Sequence, residues 1–356
     1  MLAYIGTQTG GASRGIYELE LDPAIGSLSA PRLAAATENP TFLALAPGGR
    51  VLYAAGGPSR ASEADPGGFV CGFALEAASG RLSPLNRMGA GSGRTTHVAV
   101  DSTGRMVLAA DYHGGAVCAY TVGLDGALTA RSALLKTTGP LGPNRARQDR
   151  PHPHSVTVSP GNGFAIVCDL GLDRVLLFRI DPGSGSLEPH STPRVVFPPG
   201  SGPRHSAFSG DGRFLYVANE LDSSVCALAW DESAGALEFL QKISTLPAGF
   251  RGESIVAEIR IHPSGRHLYV SNRGHDSIAT FSRDPSTGGL AAARFVPSGG
   301  GHPRNFALSR DGRWLLCANR DAGNVVSFRV AEETGALDPA GFQAKIPEPV
   351  CVLFRG

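Results

Sequence analysis

Histidine, arginine and carboxylate side chains gather at two kinds of position in this sequence. One kind lies at the start of alternating apolar strands: Asn39-Pro40, His97, His152 and His154, Arg204 and His205, Glu258, and His302 with Arg304 and Asn305. The other follows long apolar strands: Thr7-Gln8, Asp111-Tyr112-His113, Asp169, Asn219-Glu220, Asn272-Arg273 and Asn319-Arg320. A basic insertion carrying Arg145, Arg147 and Arg150 precedes Pro151-His152-Pro153-His154. His and Glu are side chains that transfer protons near neutral pH. Arg stays charged below about pH 12 and serves instead as a clamp for anions. Asn219, Asn272 and Asn319 recur at one place in a repeat and read as loop caps. His154, Glu220, Arg204 and Arg273 break the repeat and read as the functional site. His97, His152, Asp169, His205, Glu258, Arg304 and Arg320 read as substrate-binding residues around it.

The elements that must position these groups are legible as a repeat. An acidic or polar residue, a few small residues and then Gly-x-Leu recur at 22–28, 76–82, 124–128, 181–187, 231–237, 284–290 and 332–337. Each phrase has turn chemistry, with Gly supplying positive φ, and each follows an alternating strand such as Val225-Cys226-Ala227-Leu228, so each reads as a hairpin tip. Between tips, an alternating strand runs through a Gly-Arg turn into a longer apolar strand, at 41–53, 205–216, 258–269 and 305–316, and more loosely at 97–108 and 154–167. The seventh copy is split: 1–7 looks like a second strand lacking a first, and 349–354 like a first strand lacking a second. Joining them completes a ring with no unpaired edge. Seven copies of about 50 residues match four-stranded propeller repeats. The expected fold is therefore all-β: one seven-bladed β-propeller domain over 1–356, of antiparallel four-stranded blades, with both termini sharing a blade. A single Trp-Asp pair, Trp230-Asp231, does not make a WD40 pattern, and the repeated double Gly of kelch repeats is absent. In such a blade the start of the innermost strand and the end of the second share one face, so the two groups of polar residues converge on one mouth of the channel.

Composition excludes other classes. Charged residues are 18% and hydrophobic ones 42% of 356, against a disordered chain. A formal net charge of +1, with no run of like charge, gives no nucleic-acid or anionic-membrane footprint. No apolar stretch approaches the roughly 20 residues of a membrane helix, and Met1 to Gln8 lacks a signal-peptide n-region, so the expected setting is cytoplasmic. Six cysteines without Cys-x-x-Cys spacing read as small buried hydrophobes.

The chain resembles the seven-bladed lactonase family, which groups propeller-type 6-phosphogluconolactonases with fungal carboxymuconate lactonizing enzymes. The resemblance rests on Arg147-Gln148, Pro151-His152-Pro153-His154, Asp169-Leu170-Gly171-Leu172-Asp173-Arg174, Gly202-Pro203-Arg204-His205, Asn219-Glu220-Leu221, Ala257-Glu258-Ile259, Ser271-Asn272-Arg273-Gly274 and Pro303-Arg304-Asn305-Phe306. It implies lactone–acid interconversion without a redox cofactor, on a small and anionic lactone, with no obligatory protein partner. In the lactonizing branch a His, a Glu and two Arg form the site; by position these are His154, Glu220, Arg204 and Arg273, with His152 competing for the histidine role. Either Glu220 or His154 serves as base and the other as acid, and Arg304, Arg320, Arg145, Arg147 and Arg150 are candidates to hold a phosphate at the rim. No metal is expected: Asp169, Glu220 and Glu258 are the only candidate ligands, and the arginines among them repel a cation. Hydrolysis of 6-phosphogluconolactone is the first reading. A lactonizing cycloisomerase and a non-catalytic binding propeller are the alternatives.

Overall fold

The second strands of the repeat units are buried along nearly their whole length, which explains why those runs are apolar without alternation. Phe214–Asn219, Met106–Asp111 and Trp314–Asn319 are buried at every position. The outermost strands are mostly exposed instead, as in Leu128–Lys136. The computed structural model describes residues 1–58, 67–91, 93–190, 195–291 and 293–355, and among these no helix occurs.

Seven antiparallel sheets form the ring. Blade one pairs Pro349–Phe354 with Leu2–Thr7, then Gly15–Glu20 and Arg32–Ala36. Blades two to seven begin at their innermost strands with Phe42–Leu45, Thr95–Val100, Pro153–Val158, Pro203–Phe208, Ile255–Ile261 and Pro303–Leu308. Blade four carries an extra short strand, Val195–Val196, against Arg174–Asp181. The split blade closes as the sequence implies: Ala3 faces Phe354, Ile5 faces Val352 and Gly6 faces Cys351.

The tip glycines are explained by packing between blades. At Gly288, φ is +74°, and an added Cβ would lie 2.3 Å from Phe214 Cδ1 of the preceding blade. The Tyr216 hydroxyl donates to the Gly288 carbonyl at 2.8 Å. The same latch joins Tyr53 to Gly126 at 2.7 Å and Tyr269 to Gly335 at 3.0 Å. At the ring seam, Trp314 Nε1 donates to the Pro23 carbonyl at 3.1 Å. All six cysteines are free and buried, as their apolar settings imply.

One irregularity recurs on the innermost strands. In blade four Pro153 faces Asp169 and Ser155 faces Cys168, leaving His154 without a partner opposite. Arg204 is left in the same way between Pro203 and His205, Arg304 between Pro303 and Asn305, and Thr96 between Thr95 and His97. In blade one the shift falls at Val350. Such a bulge re-aims the extra side chain. In these five blades the extra residue lies toward the axis.

Candidate active site

These bulged residues line a central cavity of about 190 Å³. Thr96, His154, Arg204, Arg304 and Val350 come from inner strands; Tyr112, Glu220 and Arg273 come from just after or at the ends of second strands. Asparagines at or next to the ends of three second strands are spent on neighbouring segments. Asn219 Nδ2 donates to Ser224 Oγ at 2.9 Å, Asn272 Nδ2 to the Thr245 carbonyl at 2.7 Å, and Asn319 Nδ2 to the Ser298 carbonyl at 3.0 Å. Glu220, the next residue after Asn219, points to the axis.

Glu220 is the hub. Its Oε2 accepts from Arg204 Nε at 2.8 Å, forms an ion pair with Arg273 Nη2 at 2.8 Å, and lies 4.0 Å from His154 Nε2. Its Oε1 accepts from Arg147 Nη2. Burial alone would raise the Glu220 carboxyl, but Arg273, Arg204 and Arg147 outweigh it and hold it far below the usual range. It stays ionised. Two of its partners are fixed in turn: Arg204 Nη1 donates to the Ala257 carbonyl at 2.6 Å, and Arg273 Nη2 to the Val256 carbonyl at 2.6 Å. Burial and Arg273 push Arg204 down to about 10, against the pull of Glu220, so it remains a cation at neutral pH.

His154 is buried, and burial with Arg204, His205, Arg304 and Arg273 holds it well below the ordinary imidazole range. The ring is therefore neutral. Its Nδ1 has no protein partner among the described residues. Arg304 also makes no hydrogen bond or ion pair among the described residues; burial, Arg204 and Arg273 all act against its charge. The lining holds five guanidinium groups, of Arg94, Arg147, Arg204, Arg273 and Arg304, and one carboxylate, Glu220. Such a cavity is built for an anion.

A second tier lies beneath. His205 Nδ1 and Glu258 Oε2 are 3.2 Å apart, and Asn305 Nδ2 donates to the same oxygen. Arg204 Nη1 donates to His205 Nε2 at 3.1 Å, which places the imidazole proton on Nδ1, facing Glu258. Burial and Arg204 lower His205 to about 4, against Glu258. His97 belongs to this tier: its ring stacks on Phe42 with centroids 3.8 Å apart.

The structure thus brings His154, Glu220, Arg204, Arg273, Arg304 and His205 to one cavity. It does not bring His97, His152, Asp169, Glu258 or Arg320 to the lining. His152 instead holds two loops together: its Nδ1 donates to the Tyr112 carbonyl at 2.9 Å, its Nε2 meets Asp149 Oδ1 at 2.8 Å, and its ring stacks on Tyr112. Asp169 accepts from His152 N, Leu172 N and Thr137 Oγ1, which occupies its carboxylate. Arg320 pairs with Asp321 at 2.6 Å. Asp169 sits in a network of its own, Glu220 and Glu258 are joined through Arg204 and His205, and among the described residues no three His, Cys, Asp or Glu side chains form a metal-binding group. Of the insertion arginines, Arg147 reaches Glu220, Arg150 pairs with Asp149 at 2.9 Å, and Arg145 lies in a separate groove. Sequence reasoning passed over Arg94 and Thr96. The signal was present: Arg94-Thr95-Thr96-His97 occupies the place that Gly202-Pro203-Arg204-His205 occupies two blades later.

Comparison with known proteins agrees with the geometry. The family model described as "Lactonase, 7-bladed beta-propeller" matches residues 2–354. A 6-phosphogluconolactonase of Bacillus subtilis is 36% identical over 357 residues, covering 99% of this chain and 98% of that one. A 6-phosphogluconolactonase of Formosa agariphila is 32% identical over 320 residues, covering 88% and 86%. Among solved structures, the periplasmic gluconolactonase of Pseudomonas aeruginosa superposes with a TM-score of 0.91 at 31% identity, covering 99% of each chain. The chain belongs to the seven-bladed β-propeller lactonase family.

Proposed function

We propose that this enzyme opens the ring of a phosphorylated sugar lactone, 6-phosphogluconolactone, to give 6-phosphogluconate. The observation that carries this reading is the cationic cavity in which a neutral histidine with an unpaired nitrogen, His154, stands beside an ionised carboxylate, Glu220. A relative that shares 36% identity bears the name of that activity.

The chemistry needs a base for water, a donor set for the oxyanion and a proton for the departing ring oxygen. Glu220 has both oxygens occupied by arginine and, being ionised, has no proton to give. His154 therefore fills both roles. Its imidazole takes a proton from water as the water oxygen bonds to the lactone carbonyl carbon. The carbonyl oxygen becomes the oxyanion, held by Arg204 or Arg273. The carbon–ring-oxygen bond then breaks, and the imidazolium returns its proton to that oxygen. Glu220 stabilises the imidazolium in between. The acid product ionises and releases one proton per turnover. Arg304, with no hydrogen bond or ion pair among the described residues, binds the phosphate.

Proton release on adding freshly prepared 6-phosphogluconolactone tests this, with spontaneous ring opening measured in parallel. A rate no faster than the spontaneous one contradicts it. Ring closure of a muconate without lactone hydrolysis would favour the lactonizing branch instead.

A further inference from the structure

The three arginines on Glu220 are not equivalent. Arg204 and Arg273 have side chains 3% and 5% exposed, rise from the propeller frame, and are each tied to a backbone carbonyl of blade six. Both grip Oε2. Arg147 comes from the insertion between blades three and four, its side chain is 36% exposed, and it is the sole hydrogen-bond partner of Oε1 among the described residues.

The root of Arg147 is fixed although its tip is half in solvent. The next residue, Gln148, is fully buried and donates from Nε2 to the Leu170 carbonyl at 2.9 Å and to Asp173 Oδ1 at 2.8 Å. His152 ties Asp149 of the same insertion to the Tyr112 loop. The Tyr112 side chain lines the cavity with Arg147. A long side chain on an anchored root can change partners without moving the backbone. If Arg147 leaves, Glu220 still has two buried guanidinium partners. If either of those left, a buried cation would lose its partner, which is costly.

We propose that Arg147 is a specificity residue that changes partners on substrate binding. In the free enzyme it covers Glu220 Oε1. The phosphate of the lactone draws the guanidinium away to itself, and the uncovered Oε1 accepts a hydrogen bond from the attacking water, orienting it toward His154. A lactone without an anionic group leaves Oε1 covered and turns over slowly. Discrimination thus comes from uncovering the carboxylate as well as from binding the anion. This rests on the lactonase reading above.

The test measures kcat and KM on 6-phosphogluconolactone and on unphosphorylated gluconolactone, with and without inorganic phosphite, for wild type and Arg147→Met. In wild type, millimolar phosphite raises kcat on gluconolactone by about tenfold, equivalent to one charge-assisted hydrogen bond. Arg147→Met lowers kcat/KM on the phosphorylated lactone about 10²-fold, raises kcat on gluconolactone several-fold and abolishes the phosphite response. The KM-against-kcat split separates uncovering from simple loss of an anion contact. An Arg147→Met variant slowed equally on both lactones overturns the proposal, as does phosphite acting only as an inhibitor. Turnover of both lactones by wild type without a phosphite response removes this proposal alone. Turnover of neither removes the lactonase reading as well.

Discussion

His154 Nε2 stands 4.0 Å from Glu220 Oε2, near enough for each to feel the other's charge and too far for a hydrogen bond. The carboxylate is saturated by arginine while the imidazole keeps a nitrogen free. On the proposed mechanism, that division gives the proton to His154 and the electrostatics to Glu220.

His154→Ala should lower kcat at least about 10²-fold, the usual contribution of a positioned acid/base group. The acid limb of kcat/KM in wild type should fall well below the ordinary histidine range, because burial and the surrounding arginines hold His154 down. Steady-state rates across pH check both. An acid limb near 6.5 would assign the proton transfer elsewhere.

Glu220→Gln should cost stability as well as rate. It leaves Arg204 and Arg273 buried without their counter-charge, a loss of about 3–5 kcal/mol in comparable buried pairs. Urea unfolding measures it. A variant as stable as wild type would mean that the two arginines find other partners.

Stability should fall on acidification, beginning near neutrality. An unfolded histidine gains its proton below about pH 6.5. Native His205, held down first by burial and then by Arg204, gains its proton only near 4. Its contribution is therefore complete above 6.5 and is lost as pH falls toward 4. Glu258 adds to the same trend at lower pH: burial alone would raise it, but Arg260 and His205 bring it to about 2, so its contribution goes as pH falls through that value. The groups facing His205 are Arg204, Glu258, His97 and His154. Thermal melts from pH 8 to 4 test the slope, and His205→Gln should flatten it between 6.5 and 4.

Gly288→Ala should destabilise more than Gly249→Ala. Both glycines have positive φ, +74° and +81°, but only Gly288 has a neighbour for the new methyl, Phe214 Cδ1 at 2.3 Å, whereas Gly249 has nothing within 4 Å. The shared backbone penalty is about 1 kcal/mol, and overpacking adds about 1–3 at Gly288. Equal losses in denaturant unfolding would remove the inter-blade packing account of the tip glycines.

The ring was legible because seven turns with the same chemistry punctuate seven similar units, and the split unit at 1–7 and 349–354 needed only edge pairing to close. The caps Asn219, Asn272 and Asn319 were legible for the same reason. The bulge was not. It shifts the inner strand by one residue, and a one-residue shift exchanges the faces of a strand. Hence Thr96 reaches the cavity while His97, the more reactive type, stacks below on Phe42. His152 and His154 are alike in sequence, and only tertiary contacts separate the loop staple from the cavity histidine. Arg147 lies on an insertion with no repeat partner, so its reach to Glu220 had no periodic signal.

The most direct measurement of the central claim is kcat/KM for wild type and His154→Ala on freshly prepared 6-phosphogluconolactone beside unphosphorylated gluconolactone, each corrected for spontaneous opening. The account predicts that wild type prefers the phosphorylated ring by about 10²-fold or more, and that His154→Ala loses both activities. Equal kcat/KM for the two lactones, or undiminished turnover without His154, would contradict it.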